Sequence, residues 1–351
     1  MTSVQTIDLI LVGLGNVHQR FLHLLDTRRD TLAAHYGLQL RVVGASDSRG
    51  ALADPAGIDP AMLLAHKRAG GAAGNVPGGQ PGATALDLLN QVRAGVLLEA
   101  SPVNLTDAEP ALSYVLAALN QGVNVVLANK APLALRYRDV RLAADANGAR
   151  LAFSATVCGG LPVVNVGTRD LIAAEIQRVQ GIFNSTSNYI LTEMAAGQSY
   201  TDALAEAQRR GIAETNPRLD VEGWDTANKL TIVANAVLGF DCTVRDVRPV
   251  AGIGGAEGQK EMREIGKEGK KPGTVKLLGV AERRADGGYD LSVQPVTLAA
   301  DHKLARVSGW QMGVLFESDL FEEVFIAIDE RGPTGTAAAM LRDVVNLYRG
   351  H

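Results

Sequence analysis

The densest concentration of reactive side chains lies between Ala207 and Lys229, AQRRGIAETNPRLDVEGWDTANK. It gathers Glu214, Asp220, Asp225 and Lys229 around a Pro217 turn and Gly223. Carboxylates grouped in this way can hold a substrate ammonium, and a lysine can hold or protonate a substrate oxygen. Asp225 and Lys229 stand four residues apart, so they share one face of the helix that begins near Trp224. Taken alone, such a pair reads as an ion pair on a solvated helix face, common and worth little. Two features weigh against that reading. The opposite helix edge is apolar (Ala227, Leu230, Ala234, Val237), and the upstream loop adds two more carboxylates.

A second chemistry is written near the N-terminus. The apolar run Ile7 to Val12 ends at Gly13-Leu14-Gly15, and Asn16 to Leu25 then carries Val17, Phe21, Leu24 and Leu25 at helical spacing. In a strand–glycine–helix unit the first glycine makes the tight turn. The second lets the backbone approach a pyrophosphate, which sits on the helix N-terminus. The third glycine of that fingerprint is expected at position 18, where His18 stands, which implies a wider approach or a reoriented side chain. A tight structural turn is the alternative. Asp47 follows the second strand, Leu40 to Ala45; an acid there accepts bonds from adenosine ribose hydroxyls and repels a 2′-phosphate, whereas Ser48 and Arg49 can hold one. The residues therefore lean to NAD and leave NADP open.

These side chains need a scaffold. Val96 to Leu98 with Glu99 reads as a third strand, Ala108 to Gln121 as an amphipathic helix closed by Gly122, and Val123 to Leu127 as a fourth strand delivering Ala128-Asn129-Lys130. Such alternation argues for a parallel sheet with helices on both faces. The Gly/Pro-rich stretch 70–82 reads as a loop, mobile by composition. After about residue 150 the pattern changes. Strands are expected at Ile176 to Asn184, Val275 to Glu282, Tyr289 to Thr297 and Phe321 to Asp329. Helices are expected at Asn188 to Ala196, Thr201 to Arg210 and Trp224 to Leu238, and a final helix at Thr336 to Tyr348. Gly254 to Gly273 reads as a solvated loop, with a lid over a site as the minority reading.

Composition narrows the classes. The 351 residues are 46% hydrophobic and 21% charged, which excludes disorder as the main state and suggests two domains. A net charge of −4 gives no basic footprint for nucleic acid. No apolar run approaches the ~18 residues that span a bilayer. The start, MTSVQTIDLILVG, does not read as a signal peptide. Cys158 and Cys242 make neither a disulfide framework nor a zinc set, so a reducing, cytoplasmic compartment is expected. Cys158 reads as a packing residue, His302 as structural, and the histidines show no ligand spacing.

With these residues in place, a resemblance is plain. The stretch containing Gly211, Asn216-Pro217, Asp220, Gly223, Asp225 and Lys229 resembles the signature of the homoserine dehydrogenase family. Glu99 to Leu135, through Ala-Asn-Lys, is similar to a second family segment. Thr156 to Pro162 (TVCGGLP) resembles its glycine-rich turn, and Gly181 to Leu191 (GIFNSTSNYIL) its Asn-Gly-Thr-x-Asn-Tyr-Ile motif, with Ser185 replacing the glycine. The likeness spans about 7–240 and resumes near His302 to Ala305 and Thr336 to Asp343. It departs at His18, at Ser185, at Ser154 (a glutamate near a structural sodium in many members), in 250–273, and at Gly332-Pro333-Thr334-Gly335, where a longer glycine-rich stretch is usual.

The resemblance implies an α/β protein. A Rossmann-type parallel-sheet nucleotide-binding domain would span 1–150, with the C-terminal helix at about 333–351 returning to it. A mixed α+β substrate-binding and dimerisation domain would span 151–332. It implies the short form without a C-terminal regulatory module, interconversion of L-aspartate 4-semialdehyde and L-homoserine with NAD or NADP, a place in threonine and methionine biosynthesis, and a homodimer. By motif, Lys229 would donate the proton and Lys130 would polarise the oxygen and contact the cofactor. Glu214 and Asp225 would hold the substrate amino group, supported by Asp220, and Thr186 would meet its carboxylate. Gly13, Gly15, Asn16, Val17, Asp47, Ser48, Arg49, Ser101, Lys130, Gly211 and Gly332 would line the cofactor. No side chains form a metal set; a weak sodium site on the backbone of Val157, Gly159 and Leu161 is the one position implied. Asp225 beside Lys229 should favour the ammonium, which suits reduction, while oxidation should improve at alkaline pH. Two other readings stand beside this one: an oxidoreductase for another amino-acid aldehyde or alcohol, and a catalytically silent nucleotide-binding sensor, which would need no proton donor.

Overall fold

The computed structural model describes residues 4–214, 216–254 and 274–349; most of the glycine-rich stretch read as a solvated loop or lid, 255–273, lies outside them. The chain divides into two compact units. The first comprises the residues up to Gly160 and those from Gly332, and the second comprises Leu161–Arg331. The change of unit comes later in the chain than the change of sequence pattern near 150, because Ser154 is tied to the final helix. Its backbone N–H and hydroxyl donate to the buried Asp343 carboxylate at 2.9 and 2.7 Å.

The first unit is built on a seven-stranded sheet in the order β4-β3-β2-β1-β5-β6-β7. The strands are β1 (Gln5–Val12), β2 (Leu38–Asp47), β3 (Gly50–Ile58), β4 (Gln80–Pro81), β5 (Val96–Glu99), β6 (Asn124–Leu127) and β7 (Leu151–Ala152). Pairing is parallel from β2 through β1, β5 and β6 to β7. Parallel strands are covered on both faces, and the run IDLILV meets that demand: Leu9, Ile10 and Leu11 are fully buried. The connecting helices are α1 (Asn16–Thr27), α2 (Arg29–Tyr36), α3 (Pro60–Arg68), α4 (Ala85–Gln91), α5 (Ala111–Asn120) and α6 (Ala131–Ala146).

The sheet also has an antiparallel edge that sequence reading does not anticipate. β2 turns back at Ser48-Arg49 into β3, and β4 pairs with β3 from within the stretch expected to be a loop. Pro55 and Gly57 disguise β3 as a non-strand. They fit because the register slips between the Val42–Ile58 and Gly44–Ala53 pairings.

The second unit carries a six-stranded sheet, β13-β12-β8-β10-β11-β9. Its strands are β8 (Ile176–Ile182), β9 (Val247–Val250), β10 (Thr274–Arg283), β11 (Tyr289–Leu298), β12 (Gln311–Ser318) and β13 (Glu322–Asp329). β8 is antiparallel to both β10 and β12. Its helices are α7 (Val163–Asn165), α8 (Ser185–Ala195), α9 (Tyr200–Arg209), α10 (Arg218–Val221) and α11 (Trp224–Ala236). β12 escapes the sequence reading because MGVLF is apolar on both faces, so no alternation marks it. The chain then returns to the first unit through α12 (Thr334–Tyr348), whose Ala337, Met340, Val344 and Leu347 join the core formed with Phe21, Leu22 and Leu25. Among the described residues no helix is long and apolar enough to cross a membrane.

Candidate active site

In the first unit the candidate residues lie where the parallel strands end. Gly13 has φ +83°, and a Cβ there would lie 2.5 Å from the backbone of Ser101, so only glycine fits. Gly15 is the N-cap of α1, its own Cβ position is open, and no described side chain caps the helix. Gly15 and Asn16 are exposed and Val17 is half-buried. First-turn amides left without a side-chain cap, at the positive end of a helix, are a seat for an anion.

Asp47, at the end of β2, is already occupied. Its Oδ1 accepts from the Arg49 N–H at 2.9 Å. Its Oδ2 accepts from Lys67 Nζ at 2.5 Å and from the Ala73 N–H at 3.0 Å. Burial opposes its ionisation, but the Lys67 hydrogen bond and the two amides outweigh it, and its pKa lies below the ordinary value. Ser48 and Arg49 are exposed, and the Arg49 guanidinium donates to the Gly70 carbonyl. The Gly/Pro-rich stretch is thus pinned by Asp47, Lys67 and Arg49, with Ala73 and Gly74 buried.

One strand over, Glu99 is fully buried at the end of β5 and accepts from the Ser101 N–H at 2.9 Å. Burial pushes its pKa up to about 7, against the bonds from Ser101 and Asn129 that pull it down. The Asn129 side chain accepts from the Ala131 N–H, and Lys130 is the N-cap of α6, half-buried. Gly332, φ +101°, opens the approach to α12 with space around it.

In the second unit the charged cluster assembles around a residue that sequence reading left out of the site. Asn184 follows β8 by two residues and caps α8, its Oδ1 accepting from the Ser187 N–H at 2.8 Å. Its Nδ2 donates to Asp220 at 2.8 Å and to Asp225 at 2.7 Å. One amide therefore joins two carboxylates. The available signal was an asparagine directly before Ser-Thr-Ser, a helix start. Lys229 Nζ lies 2.7 Å from Asp225 Oδ2 and donates to the Phe183 carbonyl at 2.7 Å. The pair is not on a solvated face: the side chains are 15% and 7% exposed. Both partners accept from the Lys229 nitrogen. Gly223, φ +87°, starts α11 and brings Asp225 into the helix's first turn; a Cβ there would press Val293 at 3.1 Å.

Thr186, buried in the first turn of α8, donates to the Ile212 carbonyl at 3.0 Å and ties that helix to the turn after α9. Glu214 lies beyond that turn and is exposed; among the described residues its carboxylate is not part of the cluster. Gly211, φ +70°, is exposed in the same turn.

Cys158 and Cys242 are buried and form no disulfide among the described residues. His302 caps a short turn and bonds Gln180. The turn Val157–Gly159 is buried at Val157, with left-handed Cys158 and Gly159. Ser154 donates its hydroxyl to Asp343 and accepts from Arg342. The segment thus offers a cation no side-chain carboxylate of its own, and no described group of three His, Cys, Asp or Glu is placed to hold a metal.

Comparison with known proteins is consistent along the chain. Residues 13–154 match the family model described as homoserine dehydrogenase, NAD binding domain, and residues 162–345 match that of homoserine dehydrogenase. The chain is 35% identical over 342 residues to a homoserine dehydrogenase of Methanocaldococcus jannaschii, covering 97% of this chain and 98% of that protein. It is 34% identical over 342 residues to an NAD(+)-dependent homoserine dehydrogenase of Pseudomonas canavaninivorans, covering 97% and 96%. The crystal structure of homoserine dehydrogenase from Thermoplasma acidophilum superposes with a TM-score of 0.82 at 27% identity, covering 99% of this chain and 100% of that one.

Proposed function

The chain belongs to the homoserine dehydrogenase family, NAD(P)-dependent oxidoreductases that interconvert L-aspartate 4-semialdehyde and L-homoserine, and on that premise we propose a role for each of its site residues. Lys229 is the proton donor to the aldehyde oxygen during reduction and takes the proton back during oxidation. The observation that carries this role is the buried Asp225–Lys229 pair, anchored through Asn184 to Asp220. A cation fixed beside a developing alkoxide stabilises it without reorganising, which is where such sites gain most. Lys130 polarises the same oxygen. Asp225, with Asp220 beside it and Glu214 exposed in the neighbouring loop, receives the substrate ammonium. Thr186 and the first-turn amides of α8 receive its carboxylate, favoured there by the helix dipole.

NAD(P), when bound, supplies the hydride for the aldehyde carbon. Gly13, Gly15, Asn16 and Val17 seat its diphosphate, with Ser101, Gly211 and Gly332 lining it. Asp47, Ser48 and Arg49 lie at its adenosine ribose. Because Lys67 compensates the Asp47 charge, this acid is a weaker bar to a 2′-phosphate than an unpaired one. The same reading takes the enzyme to be a cytoplasmic homodimer formed through the second unit, which sedimentation at micromolar concentration checks.

The test is oxidation of NADH and NADPH with L-aspartate 4-semialdehyde, and the reverse reaction from L-homoserine at alkaline pH. Lys229→Ala should lower kcat by about 100-fold or more, the usual worth of a positioned proton donor. Turnover near the parent level would remove Lys229 from the reaction. A cofactor-binding protein without turnover would favour the sensor reading.

A further inference from the structure

Position 18 is where a three-glycine fingerprint has its last glycine, whose service is close packing of helix on strand. The structure places the His18 imidazole there with its ring turned inward. The side chain is fully buried and edge-on to Phe21, with ring centroids 6.1 Å apart. Its Nδ1 lies 2.9 Å from the Gly13 carbonyl oxygen. A carbonyl can only accept, so Nδ1 carries the hydrogen. Burial pushes the imidazole pKa down to about 4, so the ring is neutral near pH 7. In that tautomer Nε2 is a lone pair, and it has no partner among the described residues. An unmatched acceptor is the less costly kind of orphan.

Gly13 is consequently held from three directions. Its N–H donates to the Ser46 carbonyl at 2.9 Å, its Cα abuts the Ser101 backbone, and its carbonyl accepts from His18. Its left-handed φ makes the peptide that follows the pivot on which Leu14, Gly15 and the first turn of α1 are aimed.

We propose that His18 is a positioning residue for NAD(P): through the Gly13 carbonyl it fixes the turn and the amides behind it, a side-chain hydrogen bond replacing the backbone packing that glycine allows. This rests on reading Gly13-Leu14-Gly15 as the diphosphate seat. A residue that acts through that turn governs cofactor affinity and leaves proton transfer at Lys229 untouched.

The test uses the full-length enzyme, with NADH affinity followed by fluorescence titration beside steady-state kinetics, for His18→Leu, His18→Asn and Gly15→Val. Leucine fills the space without a donor. The asparagine amide nitrogen occupies the place of Nδ1 and can donate to Gly13. His18→Leu should weaken NADH binding and raise its KM about tenfold, the order expected for one lost hydrogen bond, with kcat within about twofold. His18→Asn should recover most of the affinity. Parent-like affinity in His18→Leu, while Gly15→Val has lost NADH, overturns the role of His18 and leaves the seat standing. Parent-like affinity in Gly15→Val overturns the seat and the proposal together. If His18→Leu does not fold, nitrogen-15 NMR of the parent histidines decides. An Nδ1-protonated neutral ring that does not titrate above about pH 5 is expected; an Nε2-protonated ring, or one titrating near 6.5, overturns the proposal.

Discussion

Asp47 and Asp225 each sit within 2.7 Å of a lysine ammonium, with both partners largely buried. The two pairs nevertheless serve different ends. Lys67 holds Asp47 to the Gly/Pro-rich stretch, and two backbone amides share the carboxylate. Lys229 shares Asp225 with an asparagine that reaches a second acid. Removing one member of such a pair strands the other, so single substitutions expose what the pair conceals. If Asp47 faces the ribose as proposed, Lys67→Met releases its charge there. The ratio of kcat/KM for NADH to that for NADPH should then rise about tenfold, the effect of roughly 1.4 kcal/mol of added repulsion toward a 2′-phosphate. An unchanged ratio would show that Asp47 does not face the ribose.

At the scale of an element, the short strand β5 ends in a buried acid that helps shape the backbone before Ser101 while its Oε2 has no partner among the described residues. The folded pKa of Glu99, about 7, exceeds its ordinary 4.5. Below pH 4.5 it is protonated folded and unfolded alike; above 7 it is ionised in both states, and the folded state bears the cost of a buried charge. Stability from this group is therefore lost as pH rises from 4.5 to 7, by about 3 kcal/mol. Glu99→Gln keeps the acceptor for Ser101 and removes the titration. Urea unfolding of parent and variant at pH 4.5 and pH 8 should show the variant gaining on the parent by that amount; a gap independent of pH would refute it. His18 slopes the other way, since its folded pKa of about 4 lies below 6.5 and stability rises with pH between them. It does so in both proteins and cancels in the difference.

At the scale of the whole molecule, the first unit is closed by residues far apart in sequence. α12 carries Asp343, 2% exposed, to the Ser154 amide and hydroxyl, and Arg342 donates to both Ser154 and the Gly160 carbonyl. Asp343→Ala leaves a buried N–H and hydroxyl without their acceptor and should cost about 3 kcal/mol of unfolding free energy. Denaturant titration measures it. A loss under about 0.5 kcal/mol, the level of an ordinary surface change, would mean that α12 is held by its apolar face alone.

Much of this molecule is legible from spacing. Gly13-x-Gly15 after IDLILV specifies a tight turn onto a helix, and Asp225 with Lys229 specifies one helix face, because both depend on residues within a turn of one another. The strands with clear alternation or clear turns at their ends were legible for the same reason. The tertiary structure decided the rest. β3 and β12 exist because neighbouring strands complete them, despite a proline in one and no alternation in the other. Lys67 came to Asp47, Asn184 came between Asp220 and Asp225, and the Gly13 carbonyl came over His18. The state of a carboxylate or an imidazole is set by the donors and the solvent around it, and those arrive from segments that the local sequence does not contain.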